Sequence, residues 1–177
     1  MNRSQILSML IVLLMTAVSC ESIKNPQIET LEVGMTLPDF RAVDTNGEDY
    51  TRARLFTTGT TSLIVLFDTQ CNDCRLQMPE IQKAYEADNS DTIFIGIARG
   101  ADTQEVLEFE KEFGITFPLC PDKDCKEYSL FAKSVVPRIY ISDTKTVIRF
   151  QHTDENIADE ALLLNELQRV KEYGKDK

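Results

Sequence analysis

Apolar positions along the chain switch between two periods. Leu63 to Phe67 (LIVLF) is an unbroken apolar run rich in branched side chains. Such a run is buried on both faces, which predicts a central strand. Beyond Cys74 the spacing relaxes to that of a helix, with Leu76, Ile81, Ala84 and Tyr85 on one stripe. Thr92 to Ala98 (TIFIGIA) predicts a second buried strand. Thr103 to Phe113 sets Val106, Leu107, Phe109 and Phe113 among acids and stops at Gly114, the pattern of a helix with a glycine C-terminus. Ile115 to Leu119 reads as extended and Lys126 to Ala132 as a short helix. Arg138 to Ser142 and Val147 to Phe150 form a hairpin about Asp143–Lys145. Asp154 to Tyr173 predicts a closing helix with Ile157, Ala161, Leu164, Leu167 and Val170 inward. Upstream, Val33 to Phe40 and the turn signal Asp44–Gly47 (DTNG) predict an entry hairpin.

Strands alternating with helices imply an α/β fold: a mixed central sheet covered by helices on both faces. The predicted organisation is a domain over 33–173, a tail at 174–177 and a tether at 20–32. With 177 residues the chain has room for one domain with a substantial core. Its formal charge of −10 argues against nucleic acid and against an anionic membrane surface as partners, since both require clustered Lys and Arg.

The first nineteen residues differ from the rest. Arg3 precedes the apolar run Ile6–Val18, and small residues lead into Cys20. This is the arrangement of an export signal, too short to span a bilayer comfortably. Ala17–Val18–Ser19–Cys20 resembles a lipoprotein signal. The resemblance implies that Cys20 is the lipid attachment site and that the mature chain hangs from a membrane on acyl chains, each buried methylene contributing about 0.8 kcal/mol.

Setting Cys20 aside leaves Cys71, Cys74, Cys120 and Cys125, in two close pairs. Cys71–Asn72–Asp73–Cys74 stands where a buried strand turns into a helix. Residues three apart on a helical turn have Cβ atoms roughly 5–6 Å apart, within reach of a disulfide after modest adjustment. Unpaired N–H groups and the positive end of the helix dipole face Cys71 and favour its thiolate. Cys74, one turn deeper, is then the resolving sulfur. Asp73 disfavours a thiolate and Arg75 opposes that effect. Asp68 is a candidate general base, or simply a solvated strand-end carboxylate. The bland alternatives are an inert bridge or half of a zinc site. Zinc needs four ligands, and Cys120 follows Cys74 by 46 residues, well beyond the usual ribbon interval of about 15–20. Cys120 and Cys125 read as a local loop disulfide, or alternatively as a second redox pair. His152 reads as a surface residue.

The segment Val33–Phe40, the run LIVLFDTQCNDCRLQMPEIQKAY and Val135–Ile141 (VVPRIYI) resemble the TlpA/ResA group of thioredoxin-like disulfide reductases. The resemblance spans about 33–170. It implies a thioredoxin fold with an N-terminal hairpin and an inserted helix near Thr103–Phe113. It also implies a cis Val136–Pro137 bond facing the cysteines, where a substrate strand pairs. Implied partners are exported proteins carrying thiols or disulfides and a membrane thiol electron donor, in the periplasm, with no cofactor beyond the redox-active pair. The chain departs from the group at three places: Gln70 stands where Trp is usual, Gln77 where the ResA type often has a proton-handling Glu (Glu80 lying on another face), and Arg138 where Thr is common. Two other functions compete. Val33–Phe40 also resembles the entry segment of the peroxiredoxins, but Asp68 occupies the place of their Thr. A metal carrier of this fold uses CxxxC with a distant His.

Overall fold

The computed structural model describes residues 30–173. Predictions for the export signal, Cys20, most of the tether and the tail lie outside the described residues. The entry hairpin pairs β1 (Arg41–Val43) with β2 (Asp49–Thr51), antiparallel, around the predicted turn. The Asp44 carboxylate holds that turn by accepting the Asn46 and Glu48 N–H groups at 2.9 and 2.8 Å. A helix not predicted from the sequence follows, α1 (Arg52–Thr58), capped by the Thr51 hydroxyl and ended by Gly59 in the left-handed region. It buries only Leu55, so it carries no periodic stripe.

Five strands form the main sheet: β3 (Ser62–Phe67), β4 (Ile93–Arg99), β5 (Leu119–Asp122), β6 (Arg138–Ser142) and β7 (Ile148–His152). Their order is β5-β4-β3-β6-β7, with β3, β4 and β5 parallel and β6 and β7 antiparallel to their neighbours. The central strand β3 is buried throughout, as its unbroken apolar run requires. Leu63, Val65 and Phe67 point into one layer, Ile64 and Leu66 into the other.

The first layer holds α2 (Asn72–Ala87), α3 (Thr103–Phe113) and α5 (Glu160–Tyr173), through Cys74, Met78, Ile81, Val106, Phe109, Leu163 and Leu167. The second holds the entry segment, α1 and the short helix α4 (Tyr128–Phe131), through Phe40, Leu55, Phe131 and Tyr140. Gly96 on β4 is required by close approach: a Cβ there would lie 2.4 Å from Leu119 Cδ2 and 3.2 Å from Phe67.

Two predicted stripes are corrected. On α2 Leu76 is 62% exposed, and Gln77 takes the inward position. The closing helix starts at Glu160 rather than Asp154, because the Asp159 carboxylate accepts the Leu162 N–H at 2.8 Å and sets the N-terminus there. Ile157 therefore precedes the helix, Ala161 is exposed, and Leu163 replaces them inside.

Candidate active site

Strand β3 ends at Phe67, and three residues carry the chain to the mouth of α2. Cys71 is the N-cap, in extended conformation, and its sulfur accepts the Cys74 N–H at 3.4 Å. An N-cap sulfur lies among the unpaired amides of the first turn, where negative charge is stabilised. Cys71 is partly exposed, and Cys74 is completely buried. Both are free thiols. The Cys74 sulfur meets the Asp68 N–H at 3.5 Å. Burial pushes the Cys74 thiol far above the ordinary thiol range; the Asp68 N–H works against this, more weakly.

Across from the pair, the Val136–Pro137 peptide is cis, as the resemblance implies. The Cys71 thiol lies 3.6 Å from the Val136 carbonyl oxygen, to which it donates. Val136 is half-buried and Pro137 buried. Cys71, Cys74, Val136 and Pro137, 62 to 66 residues apart in the chain, thus come together through the pairing of β3 with β6.

The charged neighbours are not free to act as read from the sequence. Asp68 Oδ1 accepts the Gln70 N–H at 2.9 Å, and Oδ2 pairs with Arg99 at 3.1 Å. Arg75 spends its charge on Glu112 of α3 and lies over the Phe113 ring, 4.7 Å from the centroid. A groove lined by Thr69, Gln70, Arg75, Glu108 and Glu112 reaches the residue before Cys71.

Gln77 does not handle protons; it forms a double link. Its Nε2 donates to the Ala158 carbonyl at 2.8 Å, and its Oε1 accepts the Ala158 N–H at 2.9 Å. Glu80 caps α5 by accepting the Glu160 N–H at 3.1 Å and pairs with Lys83. Arg138 is buried on β6 opposite Leu66. His152 is no surface residue: it lies 2.6 Å from Glu166 on α5, largely buried.

The predicted local bridge between Cys120 and Cys125 is not formed. Cys120 is a free, buried thiol on β5, in register with Ile97 of β4. Asp122 separates the two: its carboxylate accepts the Glu127 and Tyr128 N–H groups, and its carbonyl accepts the Cys125 N–H at 3.0 Å. The turn so built carries Cys125 past the strand end to Gly100.

Burial raises the Cys120 thiol as it does Cys74. A group whose folded pKa exceeds its unfolded one stabilises the fold below the unfolded value and loses that contribution as pH rises. The reduced protein is therefore expected to weaken above the ordinary thiol value of 9.0, by about 1.4 kcal/mol per pH unit for each thiol. Thermal melts between pH 7 and 11 check this. Cys120→Ala should remove one thiol's share, and an unchanged slope would refute the assignment.

A sheet that delivers two thiols to the mouth of a helix, facing a cis-proline loop, is the build of the TlpA/ResA-like redoxins of thioredoxin fold. The chain belongs to the AhpC/TSA family, whose model matches residues 33–151. It is 24% identical to the thiol-disulfide oxidoreductase ResA of Geobacillus kaustophilus over 130 residues, covering 71% of this chain and 74% of that protein. Among solved structures, a protein disulfide isomerase candidate from Bacteroides thetaiotaomicron superposes with a TM-score of 0.73 at 27% identity, covering 82% of this chain and 93% of that one. StoA from Bacillus subtilis gives 0.60 at 21%, covering 75% and 97%.

Sequence reasoning missed Arg99 and the Gln77–Ala158 link. For Arg99 a signal existed. Phe67 pairs with Ala98 in the parallel β3–β4 register, so the first charged residues after each run, Asp68 and Arg99, come abreast.

Proposed function

We propose that the chain is a thiol–disulfide oxidoreductase that acts through Cys71 and Cys74. The observation that carries this reading is the unequal burial of two free thiols on one helical turn: Cys71 reachable at the N-cap, Cys74 completely buried behind it. The Cys71 thiolate attacks one sulfur of a partner disulfide. That S–S bond breaks, and the departing sulfur leaves as a thiolate that takes up a proton. A mixed disulfide joins Cys71 to the partner. Cys74 then gives up its proton and attacks the Cys71 sulfur. The partner leaves with its second thiol, and Cys71–Cys74 remains as a disulfide. An external dithiol restores the reduced pair. The partner's extended segment lies against the Val136–Pro137 edge, pairing by backbone hydrogen bonds.

The partners in this reading are exported proteins with thiols or disulfides. A membrane thiol donor supplies electrons, and acyl chains on Cys20 hold the domain at a membrane facing the periplasm. Among the described residues no helix is long and apolar enough to cross a membrane.

Insulin reduction with dithiothreitol tests the chemistry: the chain lacking its export signal should turn over, and Cys71→Ser should abolish turnover. Membership of the AhpC/TSA family gives a second reading, a thiol peroxidase. Against it, Asp68 stands where the peroxiredoxins carry Thr, and its carboxylate is tied to Arg99. Peroxide consumption without insulin reduction would reverse the preference.

A further inference from the structure

One side chain connects the two loops that make the site. Arg99, the last residue of β4, sends Nη2 to the Asp68 carboxylate at 3.1 Å and Nη1 to the Ser134 carbonyl at 2.7 Å. Its guanidinium lies over the Tyr128 ring, 5.2 Å from the centroid. Asp68 begins the loop that leads into Cys71, and its Oδ1 fixes the Gln70 N–H. Ser134 precedes Val136 by two residues, in the loop that presents the cis-proline edge. Among the described residues Arg99 is a side chain that hydrogen-bonds to both loops at once. The Cys71–Val136 contact itself is a weak sulfur–carbonyl bond of 3.6 Å, too soft to hold two loops in place. The guanidinium is suited to the task because it is planar and rigid, with donors on separate nitrogens that reach two acceptors at once.

We infer that Arg99 is a positioning residue that sets the gap between the Cys71 sulfur and the Val136–Pro137 edge, and so governs how a partner's polypeptide strand fits there. The inference rests on the reading of Cys71 and Cys74 as the reacting pair. Arg99 touches neither sulfur in any hydrogen bond; it acts through Asp68 and Ser134. A substrate that uses only the sulfur should not sense it, whereas a substrate that also pairs with the edge should.

The test compares insulin with a small aryl disulfide, dithiobis(nitrobenzoate), on the unaltered protein, Arg99→Gln and Arg99→Lys. Arg99→Gln is expected to raise KM for insulin about tenfold while kcat, and the rate with the aryl disulfide, stay within about twofold. Arg99→Lys keeps the charge, but its single ammonium on a flexible stem does not replace the fork, and it should show the same KM rise. A lysine variant with unaltered KM would overturn the inference, because charge alone would then suffice. Equal losses on both substrates, with a lowered melting temperature, would also overturn it by making Arg99 merely structural. Should Arg99→Gln lose the fold, Arg99→Lys decides alone. No turnover by the unaltered protein defeats the proposed function and this inference with it. Normal turnover with insulin KM unchanged in both variants defeats the inference only.

Discussion

Cys74→Ser is expected to stop the reaction halfway and leave partner proteins covalently held on Cys71. The buried thiol is one helical turn from the sulfur it must attack, so resolution is intramolecular. Without it, release depends on a second-order encounter with a dissolved thiol, and turnover should fall roughly a thousandfold. Burial pushes the Cys74 thiol up and puts it out of a partner's reach, which makes Cys71 the entry point. Mixed disulfides should therefore accumulate with Cys74→Ser, be released by dithiothreitol, and be absent with Cys71→Ser. Non-reducing electrophoresis after incubation with reduced and oxidised protein substrates reads both. Complexes on Cys71→Ser instead would reverse the order of the two sulfurs.

Replacing Gln77 by Glu should cost about 3 kcal/mol of stability at pH 7, and the loss should shrink on acidification. Gln77 is 1% exposed and matches both backbone groups of Ala158, donor to acceptor and acceptor to donor. A carboxylate keeps the bond from the Ala158 N–H but has no hydrogen for the Ala158 carbonyl, and it buries a charge against that oxygen. Protonation restores the donor. The introduced group thus has a folded pKa above its unfolded value of about 4.3, so its stabilising contribution is present below that value and lost as pH rises through the folded one. Gln77→Leu leaves both Ala158 groups unpartnered at every pH, and its cost should not depend on pH. Urea unfolding at pH 5 and pH 7 separates the variants. If Gln77→Glu matches the unaltered protein at pH 7, the link does not carry the segment before α5. The residue thus plays a different part here from the one the resemblance attaches to Glu at this place: it anchors the chain to the helix that bears the cysteines.

Several features were legible because they are local. The burial of β3 on both faces follows from five consecutive apolar residues, and the end of α3 follows from Gly114. Two elements escaped the periodic pattern, each for its own reason. Helical spacing sets Leu76 on a stripe with Ile81, Ala84 and Tyr85, yet Gln77 is the residue that turns inward, because an amide whose two ends are both bonded can be buried without penalty. Helix α1 escaped because one buried leucine makes no period.

Residue spacing by itself determined that Cys71 and Cys74 stand on one helical turn at the end of a buried strand, since that geometry is set within a few residues. Only the tertiary structure decided that Asp68 belongs to Arg99 rather than to a sulfur, that Arg75 turns to Glu112, and that Cys120 remains a separate buried thiol. Those pairings depend on strand register and on how helices pack across the sheet, which local spacing along the chain does not set.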